Sequence, residues 1–392
     1  MSVIASAELV EPIAKLPILP QKQEEFNRFL TRADPPHDHE NQLVNKHLER
    51  ILAIFQNKVV PPYEVEIQPT SKCNLACKHC FAKALTHGRL EDKIHTLDDM
   101  RTIASRILDF RENGFRVETL KFCGTTGEPL VSPLTIPSIS MFKELDSEVN
   151  VVLFTNGLYL DKEHLNKPYW HYVLQADKII ISLDSASRQT FFNIKGIDGF
   201  QRIINNIRNI TENKDSLDLS ISYVISELNF LEIENAANLA KCLGADEIRY
   251  RIDFTNRERL SHLAETIEQG LDRAMAYSDN DFRVISIYSP KEIEGDDSAF
   301  TCKGNCFNQY FWACVGPNAE LYSCGHHTYK EVESYGSLLE DNSFRDLWTS
   351  QKRLAFSEGL PDDYCKFCSP SSAARNRFCN FLQDAVDHSR IK

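Results

Sequence analysis

The chain has 392 residues, 12 of them cysteine, and its 44 Lys+Arg against 56 Asp+Glu give a formal charge of −12. At roughly 100–200 residues per domain, this length suggests two or three units, or one large barrel with an appendage. The hydrophobic fraction of 42% is enough for a sizeable core. No apolar run approaches the ~18 residues of a membrane helix, and so acidic a chain is a poor partner for a phosphate backbone, so neither membrane nor nucleic acid is expected.

The N-terminal stretch MSVIASAELVEPIAKL carries acids and prolines and no basic region ahead of an apolar core. It does not read as a signal peptide, and a cytoplasmic location is expected. Residues 1–40 are weakly patterned, with a linker-like stretch from Arg32 to Glu40. Asn41 to Phe55 has helical spacing and is stopped by Pro61-Pro62. From Tyr63 short β-rich runs alternate with amphipathic stretches. The runs are 63–68, 119–124, 150–155, 178–183, 218–225 and 247–252, and the helical patterns are 97–111, 136–145, 200–211, 231–243 and 256–277. Such alternation implies an α/β fold with a parallel sheet, and six units suggest a partial barrel. Its ligands should bind at the carboxyl ends of the strands. After about residue 282 one more strand, FRVISIYSP, precedes an acidic loop, Glu292–Asp297, and a cysteine-dense tail. There, 311–324 reads as two short strands around Gly316-Pro317-Asn318, and 344–356 as a helix. The tail looks like a small metal-stapled unit rather than an extension of the barrel. The expected division is 1–60, a helical extension; 61–290, the partial barrel; and 291–392, the cysteine-rich domain.

Twelve cysteines without an export signal should not be read as six disulfides, because cytosolic thiols are kept reduced; clustered ones more often bind metal or do chemistry. Cys73-Asn-Leu-Ala-Cys77-Lys-His-Cys80, a C-x3-C-x2-C, follows directly on the first strand. Three thiolates on one tight loop can hold three irons of a [4Fe–4S] cube and leave the fourth open to an exogenous ligand. A zinc site completed by His79 or His87 is the competing reading, since thiolate softness does not separate zinc from iron–sulfur.

The context PTSKCNLACKHC after a first strand resembles the signature of the radical S-adenosylmethionine (SAM) enzymes, in which the three cysteines hold a [4Fe–4S] cluster whose open iron is chelated by the methionine moiety of SAM. Thr126-Gly127-Glu128-Pro129, after the second strand, resembles the family's G-G-E-P segment, with Thr126 in place of the first glycine. Thr155-Asn156-Gly157 is similar to its T-N-G turn, and Ser182-Leu183-Asp184 to its S-L-D segment near the cofactor's ribose and carboxylate. Each tripeptide alone is weak; their order, each at a strand's carboxyl end, carries the resemblance over roughly 60–255. It implies a partial (β/α)6 barrel and SAM binding by Gly127, Glu128, Pro129, Thr155, Asn156, Ser182 and Asp184. His79, where the family commonly has an aromatic, reads as a packing or adenine-adjacent residue. Cys123 and Cys242 read as core residues.

Cys306, Cys324, Cys365 and Cys368 have a spacing similar to the C-terminal extension of some of these enzymes, called SPASM with two auxiliary clusters and twitch with one. Ala319 stands where that motif has glycine, and Ala374 and Phe378 where two further cysteines would fall. The resemblance therefore implies one auxiliary [4Fe–4S] cluster held by these four cysteines. Zinc is again the competing reading. Cys302, Cys314 and Cys379 are left over, and the resemblance offers each as a hydrogen-atom donor. The implied chemistry is the cofactor's: an electron enters the sulfonium, the S–C5′ bond breaks, and a 5′-deoxyadenosyl radical takes a hydrogen atom from the substrate. The resemblance favours modification of a ribosomally made peptide by epimerisation, crosslinking or backbone excision. A dehydrogenase or epimerase acting on a sugar or aminocyclitol is the alternative, and a non-catalytic zinc or iron–sulfur redox sensor the rival class. The implied partners are a peptide or small-molecule substrate, an electron donor of flavodoxin or ferredoxin type, and a separate leader-peptide-binding protein.

Overall fold

Alternation along Glu64–Ile67 (β1) sends Val65 and Ile67 to a fully buried face and leaves Glu64 and Glu66 on the other. In the computed structural model, which describes residues 46–80, 88–125, 127–162, 165, 167–253, 259–286, 304–329, 332–360, 365, 368, 372–373, 375–376, 379–380 and 382–384, this two-faced pattern recurs along the sheet. The remaining strands are Arg111–Glu112 (β2), Phe115–Arg116 (β3), Thr119–Phe122 (β4), Asn150–Thr155 (β5), Lys178–Ser182 (β6), Asp218–Ile225 (β7), Glu247–Ile252 (β8), Arg283–Ser286 (β9), Trp312–Val315 (β10) and Leu321–Tyr322 (β11). Nine of them form one open sheet in the order β11-β10-β1-β4-β5-β6-β7-β8-β9. Every neighbouring pair is parallel except β10–β11.

The six expected strands form at the expected places, and FRVISIYSP supplies the seventh. The helices between them cover the apolar face: the helix Leu97–Leu108 starts on a Thr96/Asp99 capping box, and Phe200–Thr211 buries Ile203, Ile204, Ile207 and Ile210. Three local features depart from expectation. The single helix expected over 344–356 is two, Phe344–Trp348 and Gln351–Glu358, because the Ser350 hydroxyl accepts from Arg353 N and starts a new helix. The β2–β3 hairpin turns on Asn113 and Gly114, both at positive φ. Asn256–Tyr277 narrows to Ala264–Met275, with 254–258 outside the described residues.

The largest correction concerns the tail. β10 lies parallel to β1 in register Glu64↔Trp312 to Ile67↔Val315, so the β10–β11 hairpin extends the barrel's sheet instead of standing apart from it. WACV is a short apolar run that can be buried on both faces, as an inner strand must be. The helix Leu48–Phe55 joins the same arrangement from the other terminus: Leu48, Ile51 and Phe55 share an apolar cluster with Phe307, Phe311 and Leu382. Buried Arg50 ties it to the barrel, donating to Glu118 Oε1 at 2.8 Å and to Arg116 O at 3.1 Å. No helix among the described residues is long and apolar enough to cross a membrane.

At the amino ends of the strands Glu247, 1% exposed, takes ion pairs from Lys178 at 2.7 Å, Arg249 at 2.5 Å and Arg283 at 2.9 Å. Burial works against its ionisation, but Arg249 and Lys178 prevail and hold the carboxyl at about 2. A depressed carboxyl stabilises the fold above its unfolded value and loses that contribution as pH falls towards the folded one. Urea unfolding between pH 5 and pH 2 should therefore show the wild type losing roughly 3 kcal/mol more than Glu247→Gln. Equal acid sensitivity of the two proteins would refute this.

Candidate functional site

The chain leaves β1 through Gln68 and turns at Thr70–Lys72 into the cysteine loop. Asp92 pins that turn: its carboxylate accepts from Thr70 Oγ1 at 2.6 Å and Ser71 N at 2.7 Å. Cys73 is exposed, and Cys77 and Cys80 are half-buried. The three thiols lie within electrostatic reach of one another. Burial pushes Cys73 and Cys77 up, and the Lys195 ammonium pulls Cys77 back towards the thiolate. Among the described residues no three Cys, His, Asp or Glu side chains meet at metal-binding geometry. The donor set itself, three thiols on one loop with an exposed side and a neighbouring cation, fits an iron–sulfur cluster.

The loop after β4 closes onto this turn. Glu128 N donates to Lys72 O at 2.8 Å. A Cβ on Gly127 would stand 2.1 Å from Thr70 O, so only glycine allows the approach. The Glu128 carboxylate, 4% exposed, accepts from Leu130 N at 3.1 Å, Thr155 Oγ1 at 2.5 Å and Asn156 N at 2.8 Å. Three of its about four lone-pair positions are thus used, leaving one for an ammonium group. Pro129 starts the short helical turn that Glu128 caps. Asn156 reaches back, donating from Nδ2 to Asn74 Oδ1 at 2.7 Å beside Cys73. Gly127, Glu128, Pro129, Thr155 and Asn156 therefore share one edge with the cysteine loop; Thr126 lies outside the described residues.

Asp184, fully buried and at φ +58°, follows β6. Its carboxylate accepts from Ser182 Oγ at 2.9 Å and Val224 N at 2.7 Å, pairs with Lys195, and lies 3.3 Å from His79 Nε2. Burial opposes its charge, but Lys195 and His79 hold it far below the usual carboxylate range. Sequence reasoning missed Lys195. It closes the helix Arg188–Lys195, which Ser187 caps and Gly196 ends at φ +78°. The missed signal was the pairing of Lys195 with Phe191 on the inner face, one turn apart. Lys78 N also donates to Ile194 O at 2.9 Å, joining this helix to the cysteine loop.

In the tail, burial and then Cys306, Cys324 and Cys365 push Cys368 up, so the other three expected cysteines lie within electrostatic reach of it. Of the leftover thiols, Cys314 is buried on β10 with Sγ 3.9 Å from Glu66 Oε1. Cys379 lies in the apolar cluster of the N-terminal helix, its thiol pushed up to about 12 by burial. Cys302, His87, Ala374 and Phe378 fall outside the described residues. Cys242 is a correction: it is exposed, because its helix buries Ile233, Ala236, Ala237 and Ala240 on the opposite side. Cys123, half-buried, directly follows β4 near Glu66, and burial followed by that carboxylate pushes it up to about 12.

Residues 67–240 match the family model described as the Radical SAM superfamily. Over this stretch the chain is similar to the radical SAM superfamily, whose members use a [4Fe–4S] cluster and SAM. A probable GTP 3′,8-cyclase of Saccharolobus islandicus (strain Y.N.15.51 / Yellowstone #2) is 26% identical over 231 residues, 59% of this chain and 66% of that protein, just under two thirds of its length. A protein named S-adenosylmethionine-dependent nucleotide dehydratase, from Fibrobacter sp. (strain UWH6), is 28% identical over 298 residues, 73% of this chain and 84% of its own. Among solved structures, Streptococcus suis SuiB bound to S-adenosylmethionine superposes with a TM-score of 0.58 at 16% identity, covering 89% of this chain and 82% of SuiB. Native anSMEcpe with bound AdoMet gives 0.56 at 15%, covering 79% and 88%.

Gly127→Ala should force the loop off Thr70 and weaken SAM binding about tenfold or more, measured by equilibrium dialysis on the anaerobically reconstituted protein. Unchanged affinity would mean that the close approach does not shape the SAM site.

Proposed function

We propose that Cys73, Cys77 and Cys80 hold the SAM-binding cluster and that the enzyme takes a hydrogen atom from a ribosomally synthesised peptide. The gathering of the cysteine loop, Glu128, Asn156 and Asp184 at one carboxyl edge carries the first part of this reading. When bound, the cluster and SAM supply a carbon radical able to abstract hydrogen. The chain's own residues do the rest. Glu128 offers its remaining lone pair to the methionine ammonium and keeps the loops after β4 and β5 together. Ser182 and Asn156 present hydrogen-bonding groups at the same edge. Asp184 acts through protein partners: with Lys195 it fixes the wall behind Cys77 and Cys80. The electron comes from a donor of flavodoxin or ferredoxin type. Cys306, Cys324, Cys365 and Cys368 hold one auxiliary [4Fe–4S] cluster.

The peptide reading draws support from the fold, which SuiB shares over 84% of this chain at a TM-score of 0.57 in a crystal structure with its precursor peptide SuiA. A nucleotide substrate is the second reading, favoured by the nucleotide dehydratase relative, whose alignment covers 73% of this chain. A separate leader-binding protein belongs to the peptide reading only. If the product needs a hydrogen returned to carbon, Cys314 supplies it: burial keeps this thiol protonated on the barrel-facing side of β10, next to Glu66.

Anaerobic reconstitution should yield about eight irons per chain, two cubane clusters, and 5′-deoxyadenosine on addition of SAM and reductant. The variant Cys73→Ala/Cys77→Ala/Cys80→Ala should lose about half the iron and all release. Mass spectrometry of reactions with short peptides encoded beside the gene, and separately with nucleoside triphosphates, decides the substrate. Conversion of a nucleotide with no peptide altered would overturn the peptide reading. Solvent-deuterium incorporation into product should vanish in Cys314→Ala while 5′-deoxyadenosine continues to form; persistence of the label would remove Cys314 from the mechanism.

A further inference from the structure

One short turn lies between the C-terminal cysteines and the strand ends that lead into the first cysteine loop. Gly325–His327, a single 3-10 turn, directly follows Cys324. On one side, His327 Nε2 lies 3.7 Å from Cys365 Sγ. The imidazole is held by Ser323 Oγ at Nδ1, 2.5 Å away, and stands edge-on to Phe356. On the other side, Gly325 O accepts from Thr125 Oγ1 at 2.9 Å. Thr125 in turn accepts from Gln68 Nε2 at 2.9 Å, and the one hydroxyl proton of Thr328 has two acceptors in reach, Gly325 O at 2.7 Å and Gln68 Oε1 at 3.1 Å. Gln68, His327, Thr328 and Ser323 are all buried.

The contact is tight enough to transmit a displacement. A Cβ on Gly325 would stand 2.8 Å from Glu66 Oε1 and 3.0 Å from Thr125 Oγ1. Thr125 begins a loop so closed that a Cβ on Gly124 would meet Gly127 O at 2.4 Å. Any shift of the turn therefore moves Thr125, and through the loop Gly127 and Glu128. Packed interiors accommodate such shifts in discrete steps, because they have little free volume to absorb them.

We propose that the turn Gly325–Thr328 couples the two sites, with His327, Gln68 and Thr125 as positioning residues, so that metal occupancy at Cys365 and SAM binding favour each other. Coupling of this kind is reciprocal and typically about 5- to 150-fold in affinity. The proposal rests on the auxiliary cluster proposed above.

SAM dissociation constants, measured by equilibrium dialysis on anaerobically reconstituted protein with iron counted in each sample, form a double-mutant cycle. Cys365→Ala/Cys368→Ala should lose about four irons and weaken SAM binding about fivefold or more where Thr125 is intact. In a Thr125→Val background the same cysteine pair should change SAM affinity by less than about twofold, because the link is already cut. Thr125→Ser, which keeps the hydroxyl, should restore the wild-type response and separates loss of the link from general damage to the loop. Equal weakening in the wild-type and Thr125→Val backgrounds, or none in either, would overturn the coupling. A wild-type chain that holds only about four irons would instead overturn the second cluster, and the coupling with it.

Discussion

The parallel pairing of β10 with β1 is the constraint on which the rest of the molecule depends. β1 is only four residues long, and it is shared between β4 and β10 on its two sides. Closing so distant a contact costs chain entropy, and that cost is met by burying Val65, Ile67, Ala313 and Val315 completely. The parallel direction matters as much as the pairing. It makes β10 leave the sheet at the same edge as β1, where Gln68 N donates to Val315 O at 2.9 Å just before the cysteine loop begins. The β11 strand then returns along β10, and Cys324 follows two residues after Tyr322. The first cysteine loop and Cys324 thus both adjoin this one sheet.

The other face of the same strands is charged. Lys121 on β4 lies 3.2 Å from Glu64 Oε1 and 3.7 Å from Glu66 Oε2 on β1. Burial disfavours the ammonium, yet the two carboxylates hold its proton more firmly than usual. Cys123 and Cys314 sit beside this group, and Arg251 from β8 lies over the Phe154 ring from across the sheet. Layers of branched apolar side chains fill the interior of a closed eight-stranded barrel. Here ion pairs and half-exposed polar groups occupy that side of an open sheet, while its opposite face carries the apolar core.

Local rules were enough for most of the barrel. Phe200–Thr211 and Asp218–Ile225 announce themselves by clear periodicity, and their observed limits coincide with the expected ones. The C-x3-C-x2-C spacing and the tripeptides after β4, β5 and β6 are contiguous in sequence, so the site was legible wherever one short segment carries it. What was not legible depends on partners far away. WACV reads as a strand but says nothing about its neighbour, and only pairing with β1 makes it part of the barrel sheet. Lys195 looks like an ordinary surface lysine until Asp184, on a different element, gives it a buried counter-charge. The turn after Cys324 has no signature, because its importance comes from a backbone carbonyl and a glycine that meet Thr125 and Glu66.

Both cysteine sets must offset the cost of a thiolate. A metal-bound cysteine must give up its proton, and burial makes that harder. At the first loop, Lys195 counters burial for Cys77, and Cys73 remains exposed. The Asp184 pairing keeps Lys195 in place, so a residue with no contact to sulfur governs the charge that sulfur feels. At the C-terminal set Asn376 Nδ2 lies 3.9 Å from Cys306 Sγ and His327 lies beside Cys365; burial and the neighbouring thiols push Cys368 up, while the Arg375 guanidinium pulls it back. Each set thus has a protein cation within reach, Lys195 at the first loop and Arg375 at the second. The turn at Gly325 stands between the second set and the loop after β4, next to His327 on one side and Thr125 on the other.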